Sequence, residues 1–215
     1  MSYAEREMRS SSEIEIIDIT EDGGYERYLY RCLSPIPFRE YRKRREYLEV
    51  AITKGFHKKL VVFNGKVVGQ IEYAPADASG CPITGNNVIV MNCTWIPRRA
   101  KGHNFGCKLL TDMVESHKTA AGFATLALEN HWSPWMKREQ MEKLGFKPLT
   151  SIRVTHRTKH QGQPFKIHLM WLPAIKNVNQ PAWNESKLLE GLNFCLAHPL
   201  YRPEKTKLGE IFERI

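Results

Sequence analysis

Residues Val88 to Leu110 read VIVMNCTWIPRRAKGHNFGCKLL. The stretch opens with a β-prone run, Val88 to Ile96. Pro97 ends it, because proline has no backbone N–H to give to a sheet ladder. A small, basic bend follows from Arg98 to Gly106, and then Leu109, Leu110, Met113 and Val114 recur at helical spacing. A strand, a turn of small residues and a helix leave the first helical N–H groups without partners. Those groups and the helix dipole favour an anion such as a phosphate.

A second stretch lies further along the chain: LALENHWSPWMKREQMEKLGFKPL, from Leu126 to Leu149. Leu126 to Glu129 read as a buried strand, Asn130 as the opening of a helix, and Lys143-Leu144-Gly145-Phe146 as its closing corner. Gly145 suits the position just past a helix C-terminus.

Together the two stretches resemble the GNAT superfamily of acyl-CoA-dependent N-acyltransferases, over roughly residues 13–172. That family carries Arg/Gln-x-x-Gly-x-Gly/Ala at the turn, with two apolar residues soon after. The register Arg99-Ala-Lys-Gly102 offers the arginine but brings the apolar pair two residues late. The register Lys101-Gly-His-Asn104-Phe-Gly106 places Leu109 and Leu110 where the family has its leucines. It puts Lys101 in place of arginine or glutamine, and Asn104 in place of the first glycine. Asparagine is the least costly substitute where φ must be positive.

The rest of the chain is consistent with that order. Glu13 to Thr20 alternates as a first strand. Gly23 to Leu33 and Arg39 to Thr53 read as helices, separated by Ser34-Pro-Ile-Pro-Phe38. The run Arg42-Lys43-Arg44-Arg45 reads as a solvated helix face. Lys59 to Phe63 and Lys66 to Ala74 flank Asn64-Gly65, a type I′ hairpin signal. A long loop covers Pro75 to Asn87. Lys108 to Thr119 is a helix, Ala124 to Glu129 a strand, Trp135 to Leu144 a helix. Arg153 to Thr158 and Phe165 to Leu172 form a last hairpin around KHQGQP. The expected fold class is α+β: a mixed, mostly antiparallel central sheet of six or seven strands flanked by helices. Residues 1–12 read as a flexible N-terminus, 13–175 as the acyltransferase-like domain, and 176–215 as a C-terminal extension of unassigned role. Within the extension, Asn184 to Leu192 reads as a helix capped by Asn184, and Tyr201 to Lys207 as a polar link.

Composition sets bounds. The 215 residues carry a formal charge of +9 and are 42% hydrophobic, enough for a packed core. A basic balance suits a polyanionic cofactor, nucleic acid or an anionic surface. No aromatic-plus-basic motif of a nucleic-acid module is present. Five cysteines, an odd number without a CxxC pair, point to reduced thiols in the cytoplasm rather than a disulfide framework or a zinc site. No apolar run reaches the length of a membrane span, and the N-terminus has no signal-peptide core.

The resemblance implies acetyl-CoA as co-substrate and a small-molecule or protein amine as acceptor. The main chain of Cys93, Thr94, Trp95 and Ile96 would pair with the pantetheine arm. The N–H groups of Lys101, Gly102, His103, Asn104, Phe105 and Gly106 would cradle the pyrophosphate. Asn130 would touch the cofactor, or serve only as a helix cap. Glu72 and Glu129 are candidate bases, with His131 a third. Cys93 is a candidate nucleophile or an apolar filler. The family's acidic tyrosine falls here on Met141, which cannot give a proton to a leaving thiolate. Trp95, Trp132 and Trp135 read as core or pocket wall. A protein that binds acyl-CoA without turnover is the alternative, and a basic nucleic-acid-binding protein a more distant one.

Overall fold

The Asn64-Gly65 turn has both residues in the left-handed region, at φ 49° and 71°, as a type I′ turn demands. It joins strand β2 (His57–Phe63) to β3 (Lys66–Pro75) in antiparallel register. From this hairpin the sheet grows both ways in a computed structural model that describes residues 13–21, 25–33, 42–157, 162–190 and 212–215. The expectations for residues 1–12, for Ser34 to Phe38, for Lys159 to Gln161 of KHQGQP and for Tyr201 to Lys207 lie outside the described residues.

The elements follow the expected order. Strand β1 (Ile14–Asp18) precedes helices α1 (Glu26–Leu29) and α2 (Arg42–Ala51). After β3 come a short strand β4 (Ile83–Thr84), β5 (Val88–Trp95) and helix α3 (Phe105–Ser116). Strand β6 (Gly122–Glu129), helix α4 (Arg138–Lys143), β7 (Lys147–His156) and β8 (Phe165–Pro173) complete the core. The extension adds β9 (Ala182–Trp183), helix α5 (Glu185–Leu188) and β10 (Phe212–Arg214). The main sheet runs β1-β2-β3-β5-β6-β8-β7-β10. Within it, β5 and β6 pair in parallel and the other neighbours are antiparallel. Seven strands come from residues 13–175. The eighth, β10, belongs to the C-terminal extension and pairs with β7.

The long loop after β3 is not structureless. Its β4 pairs with β9 of the extension. At the start of α5 the Asn184 side chain accepts from the Lys187 N–H, as its cap role requires. Leu188 is buried beside Ile83 and Phe212 in one cluster. The described parts of the extension, up to residue 190 and from 212 on, therefore pack on the fold.

The sheet has two apolar faces. Alternation along β2 and β3 sends Val61, Ile71 and Tyr73 to one side, where Phe105, Leu109 and Met113 of α3 and Met141 of α4 cover them. Leu60 and Ala74 point the other way, under Leu48 and Ala51 of α2. Helix α2 meets the sheet along Arg44, Leu48 and Ala51, spaced at four and three residues and all buried. Arg44 thus departs from the solvated face read for the basic run: it is fully buried, while the Arg45 side chain is 62% exposed. Burial there is possible because Glu72 answers its charge.

The corner Lys143 to Phe146 ends α4 as a Schellman motif. The Phe146 N–H donates to the Met141 carbonyl at 3.0 Å and the Gly145 N–H to Glu142 at 3.0 Å, with Gly145 at φ 95°. The start of α4 differs from expectation. Asn130 does not open it; Asn130 is a left-handed turn residue at φ 60°, and the helix begins at Arg138 with Lys137 at its cap. Ser133-Pro134 holds the chain extended, since the residue before a proline avoids the helical region.

Candidate functional site: a fork between two parallel strands

Strands β5 and β6 pair from Val88–Gly122 to Met91–Thr125 and no further. At the fork the Thr125 hydroxyl donates to the Met91 carbonyl at 2.7 Å. Beyond it, Cys93 to Trp95 and Leu126 to Glu129 make no ladder with one another. The β3–β5 register shifts at the same point. Tyr73 opposes Met91 and Glu72 opposes Cys93, so Asn92 is the extra residue of a bulge. A bulge bends its strand and re-aims the residues beyond it, which accounts for the divergence.

The chain spans part of the gap itself. The Leu128 N–H donates to the Met136 carbonyl at 2.8 Å, and Leu128 bridges to Lys137. The Trp135 indole N–H donates to Cys93 Sγ at 3.3 Å. Met136 is buried and holds a positive φ of 44°, a costly conformation for a side chain of its length.

On the α3 side, Pro97 leads into a 3-10 turn over Arg98–Ala100. Gly102 follows at φ 91° and Asn104 at φ 57°. The substitution read at Asn104 therefore sits at a left-handed position, as expected. Asn104 caps α3 through its carbonyl, which accepts from the Lys108 N–H at 3.1 Å, and not through its side chain. Phe105 anchors the turn: it is buried, stacks on His103 and touches Phe63. A Cβ at Gly102 or Gly106 would meet nothing within 4 Å. The space outside both glycines is open, and the first turn of any α-helix has N–H groups without a partner in the helix.

Glu129 ends β6 at the mouth of the gap. Its Oε2 accepts from His168 Nε2 at 2.6 Å and from Arg138 at 3.1 Å, with Lys166 at 3.9 Å. The His168 hydrogen bond, helped by Arg138 and Lys166, lowers its pKa. Burial lowers that of His168, against the pull of Glu129. The Glu129 side chain is 28% exposed and lines a small cavity with Asn130, His131 and Arg138.

Glu72 lies on the opposite face. Its Oε1 receives Arg44 at 2.9 Å and Lys58 at 2.7 Å, and all three side chains are fully buried. The two candidate carboxylates are therefore not brought together: one bonds to α4, the other to α2. No amine reaches Glu72 directly from solvent. Cys93 opposes Glu72 across the strands and is buried. His131 is engaged by His156, Nε2 to Nε2 at 3.0 Å, and its Nδ1 accepts from the Ser133 N–H. Met141, at the position where the resemblance implies an acid, is buried in the core. Thr94 and Ile96 are half-buried along the gap, and the Thr94 hydroxyl donates to the Gln70 carbonyl at 3.4 Å. Trp132 is 58% exposed, so it is neither core nor a covered wall.

Sequence reading missed Arg44, Lys58 and His168. The last two carry a signal in retrospect: each is a polar residue at a core-facing position of an alternating strand, Lys58 in HKKLVVF and His168 in FKIHLMWLP. Among the described residues one group of metal-ligating type occurs, Asp18, Glu21 and His57 at the far end of the sheet, and no helix is long and apolar enough to cross a membrane.

No protein-family model matches the sequence, and no curated protein does. The fold has many counterparts among solved structures. A candidate acetyltransferase of the GNAT family from Desulfovibrio desulfuricans superposes at a TM-score of 0.55 with 12% identity, over 76% of this chain and all of that one. The ribosomal-protein-S18-alanine N-acetyltransferase of Escherichia coli gives 0.52 and 12%, over 78% of this chain and all of its own. The smu.2055 protein of Streptococcus mutans gives 0.52 and 13%, over 76% and 99%. The chain has the GNAT fold.

Proposed function

We propose that this protein transfers an acetyl group from acetyl-CoA to the amine of an acceptor, by direct attack with both substrates bound. The fork between β5 and β6 carries the reading, because it opens onto a turn whose free N–H groups suit a diphosphate. The cofactor fits the residues present. The Lys101 N–H already donates to the Arg98 carbonyl at 3.2 Å, so the main chain of Gly102 to Gly106 would hold the pyrophosphate, with open space outside Gly102 and Gly106. Cys93 to Ile96, freed from β6, would pair with the pantetheine arm, and Asn130 lies at the far lip of the gap. Bound there, acetyl-CoA supplies an activated thioester.

The residues of this chain then position the amine and dispose of its proton. Attack forms the C–N bond, the C–S bond breaks, and the amine proton must leave. Of the two carboxylates, Glu129 is the one solvent reaches. Held as a carboxylate by His168 and Arg138, it accepts that proton through water. With Met141 in the acid's place, the thiolate departs unprotonated or takes its proton from solvent. Fixed main-chain donors along β5 require no reorganisation as charge grows on the thioester oxygen.

A specific observation favours a second reading, acyl-CoA binding without turnover: Trp135 and Met136 already occupy part of the gap. Incubation of the protein with acetyl-CoA and a panel of amines, with free thiol as the readout, separates the two. Amine-dependent thiol release supports transfer. Stabilisation by acetyl-CoA with no release from any amine supports binding alone.

A further inference from the structure

The side chain of Trp135 packs against two apolar clusters that belong to opposite faces of the sheet. Alternation along β5 and β6 puts Met91 and Ala127 in one cluster and Val90 and Leu126 in the other. Paired strands lie about 4.8 Å apart, too close for an indole to pass between them. A side chain that reaches both faces therefore stands in a break in the sheet. That break is the fork, since β5 and β6 stop pairing at Met91–Thr125. The indole N–H meets β5 itself, where it donates to Cys93 Sγ at 3.3 Å.

The indole is also held through its main chain. The Trp135 N–H donates to Ser133 Oγ at 3.2 Å, and the next carbonyl, that of Met136, accepts from Leu128 of β6 at 2.8 Å. The side chain bears on β5 while the backbone behind it is fastened to β6. Cys93 lies just beyond Met91, the last β5 residue in the ladder, so this wall stands near the closed end of the fork. The pyrophosphate turn lies at the other end of the same segment, past Ile96. An arm laid along β5 from that turn passes Ile96, Trp95 and Thr94. Its thioester end then arrives at Cys93, against Trp135.

Resting on the acetyl-transfer reading, we infer that Trp135 is the specificity-determining residue for the acyl group: its indole closes the fork behind the thioester, so that acetyl fits and longer acyl chains do not. The surroundings offer little slack, because Leu128 and Met136 beside it are 3% and 2% exposed. A longer chain has to push the indole off Cys93 and out of both clusters. Forcing extra methylenes into a filled interior is destabilising. The penalty falls on binding of the acyl-CoA, before any acceptor is present.

The test titrates acetyl-CoA and hexanoyl-CoA calorimetrically into wild type, Trp135→Ala and Trp135→Phe, without acceptor, so that binding rather than turnover is read. Wild type should bind hexanoyl-CoA roughly tenfold or more weakly than acetyl-CoA. Trp135→Ala removes the indole and leaves the main-chain bond between Leu128 and Met136 in place. Its preference should vanish or reverse, and hexanoyl-CoA should raise its melting temperature more than acetyl-CoA does, because the chain refills the space the indole left. Trp135→Phe keeps an aromatic ring in the break, so it folds even where the alanine variant does not, and it should narrow the preference about threefold or more. Equal binding of the two ligands by wild type overturns the inference and leaves acetyl transfer standing. So does the full wild-type preference retained by a folded Trp135→Phe or Trp135→Ala. If wild type binds neither ligand, the acetyl-transfer reading falls and the inference with it.

Discussion

Replacing Glu72 by glutamine tests what the buried carboxylate does. Arg44 and Lys58 converge on one of its oxygens at 2.9 and 2.7 Å, with all three side chains shut off from water. Glutamine keeps the shape and removes the charge both cations share. Breaking a buried pair by deleting one partner costs about 3–5 kcal/mol. For a chain of this size, each kcal/mol moves the melting temperature by about 2–4 °C, so the expected fall is roughly 6–20 °C. The deficit should depend on pH. Burial already lowers the Lys58 pKa, and Glu72 opposes that shift. Without Glu72, Lys58 sheds its proton more readily in the folded than in the unfolded chain. The unfolded state then binds more protons, so the stability of the variant rises with pH, and the loss should shrink between pH 7 and pH 9. Circular-dichroism melts at the two pH values measure both effects. A Glu72→Gln protein that melts within about 2 °C of wild type but no longer releases thiol would refute a structural role and restore Glu72 as the base.

Glu129→Gln should cost little stability, because solvent reaches the side chain and the amide oxygen can still accept from His168 and Arg138, and lower turnover about 100-fold or more with acetyl-CoA binding retained; steady-state kinetics at pH 6 to 9 check this. Gly122→Ala should destabilise by about 1–3 kcal/mol in urea melts, because its Cβ would lie 2.4 Å from the Trp171 ring and 2.6 Å from the Leu172 carbonyl oxygen. Stability should decline as pH falls below about 6.5. Burial lowers the pKa of both His117 and His168, so the unfolded chain takes up protons first; denaturant melts from pH 7.5 to 5 follow the slope.

The parts legible in the sequence were those fixed by local geometry. Asn64-Gly65 and Gly145 sit where a positive φ is needed, and so does Asn104, a departure from the family pattern that its backbone explains. Alternation in β1, β2 and β3 and the periodicity of α3 placed the core. The parts that were not legible depend on distant contacts. Arg44 looks like its neighbours in a basic run, and only Glu72, 28 residues on, makes its burial tolerable. His168 gains meaning from Glu129, 39 residues earlier. The eighth strand pairs with β7 from across a long connection. Asn130 failed as a helix opening because Ser133-Pro134 postpones the helix, and a motif matched by order alone does not register that delay.

The central claim is that the turn after β5 and the fork beside it seat acetyl-CoA. Isothermal titration of wild type and Gly106→Asp measures it directly. Helix α3 tolerates aspartate in its first turn, and a Cβ at Gly106 meets no protein atom within 4 Å, so the variant should fold with an unchanged melting temperature. Its carboxylate would stand where the pyrophosphate lies. Saturable binding by wild type and at least tenfold weaker binding by folded Gly106→Asp is the expected result. Equal affinity of the two proteins, or no binding by wild type, would contradict the placement.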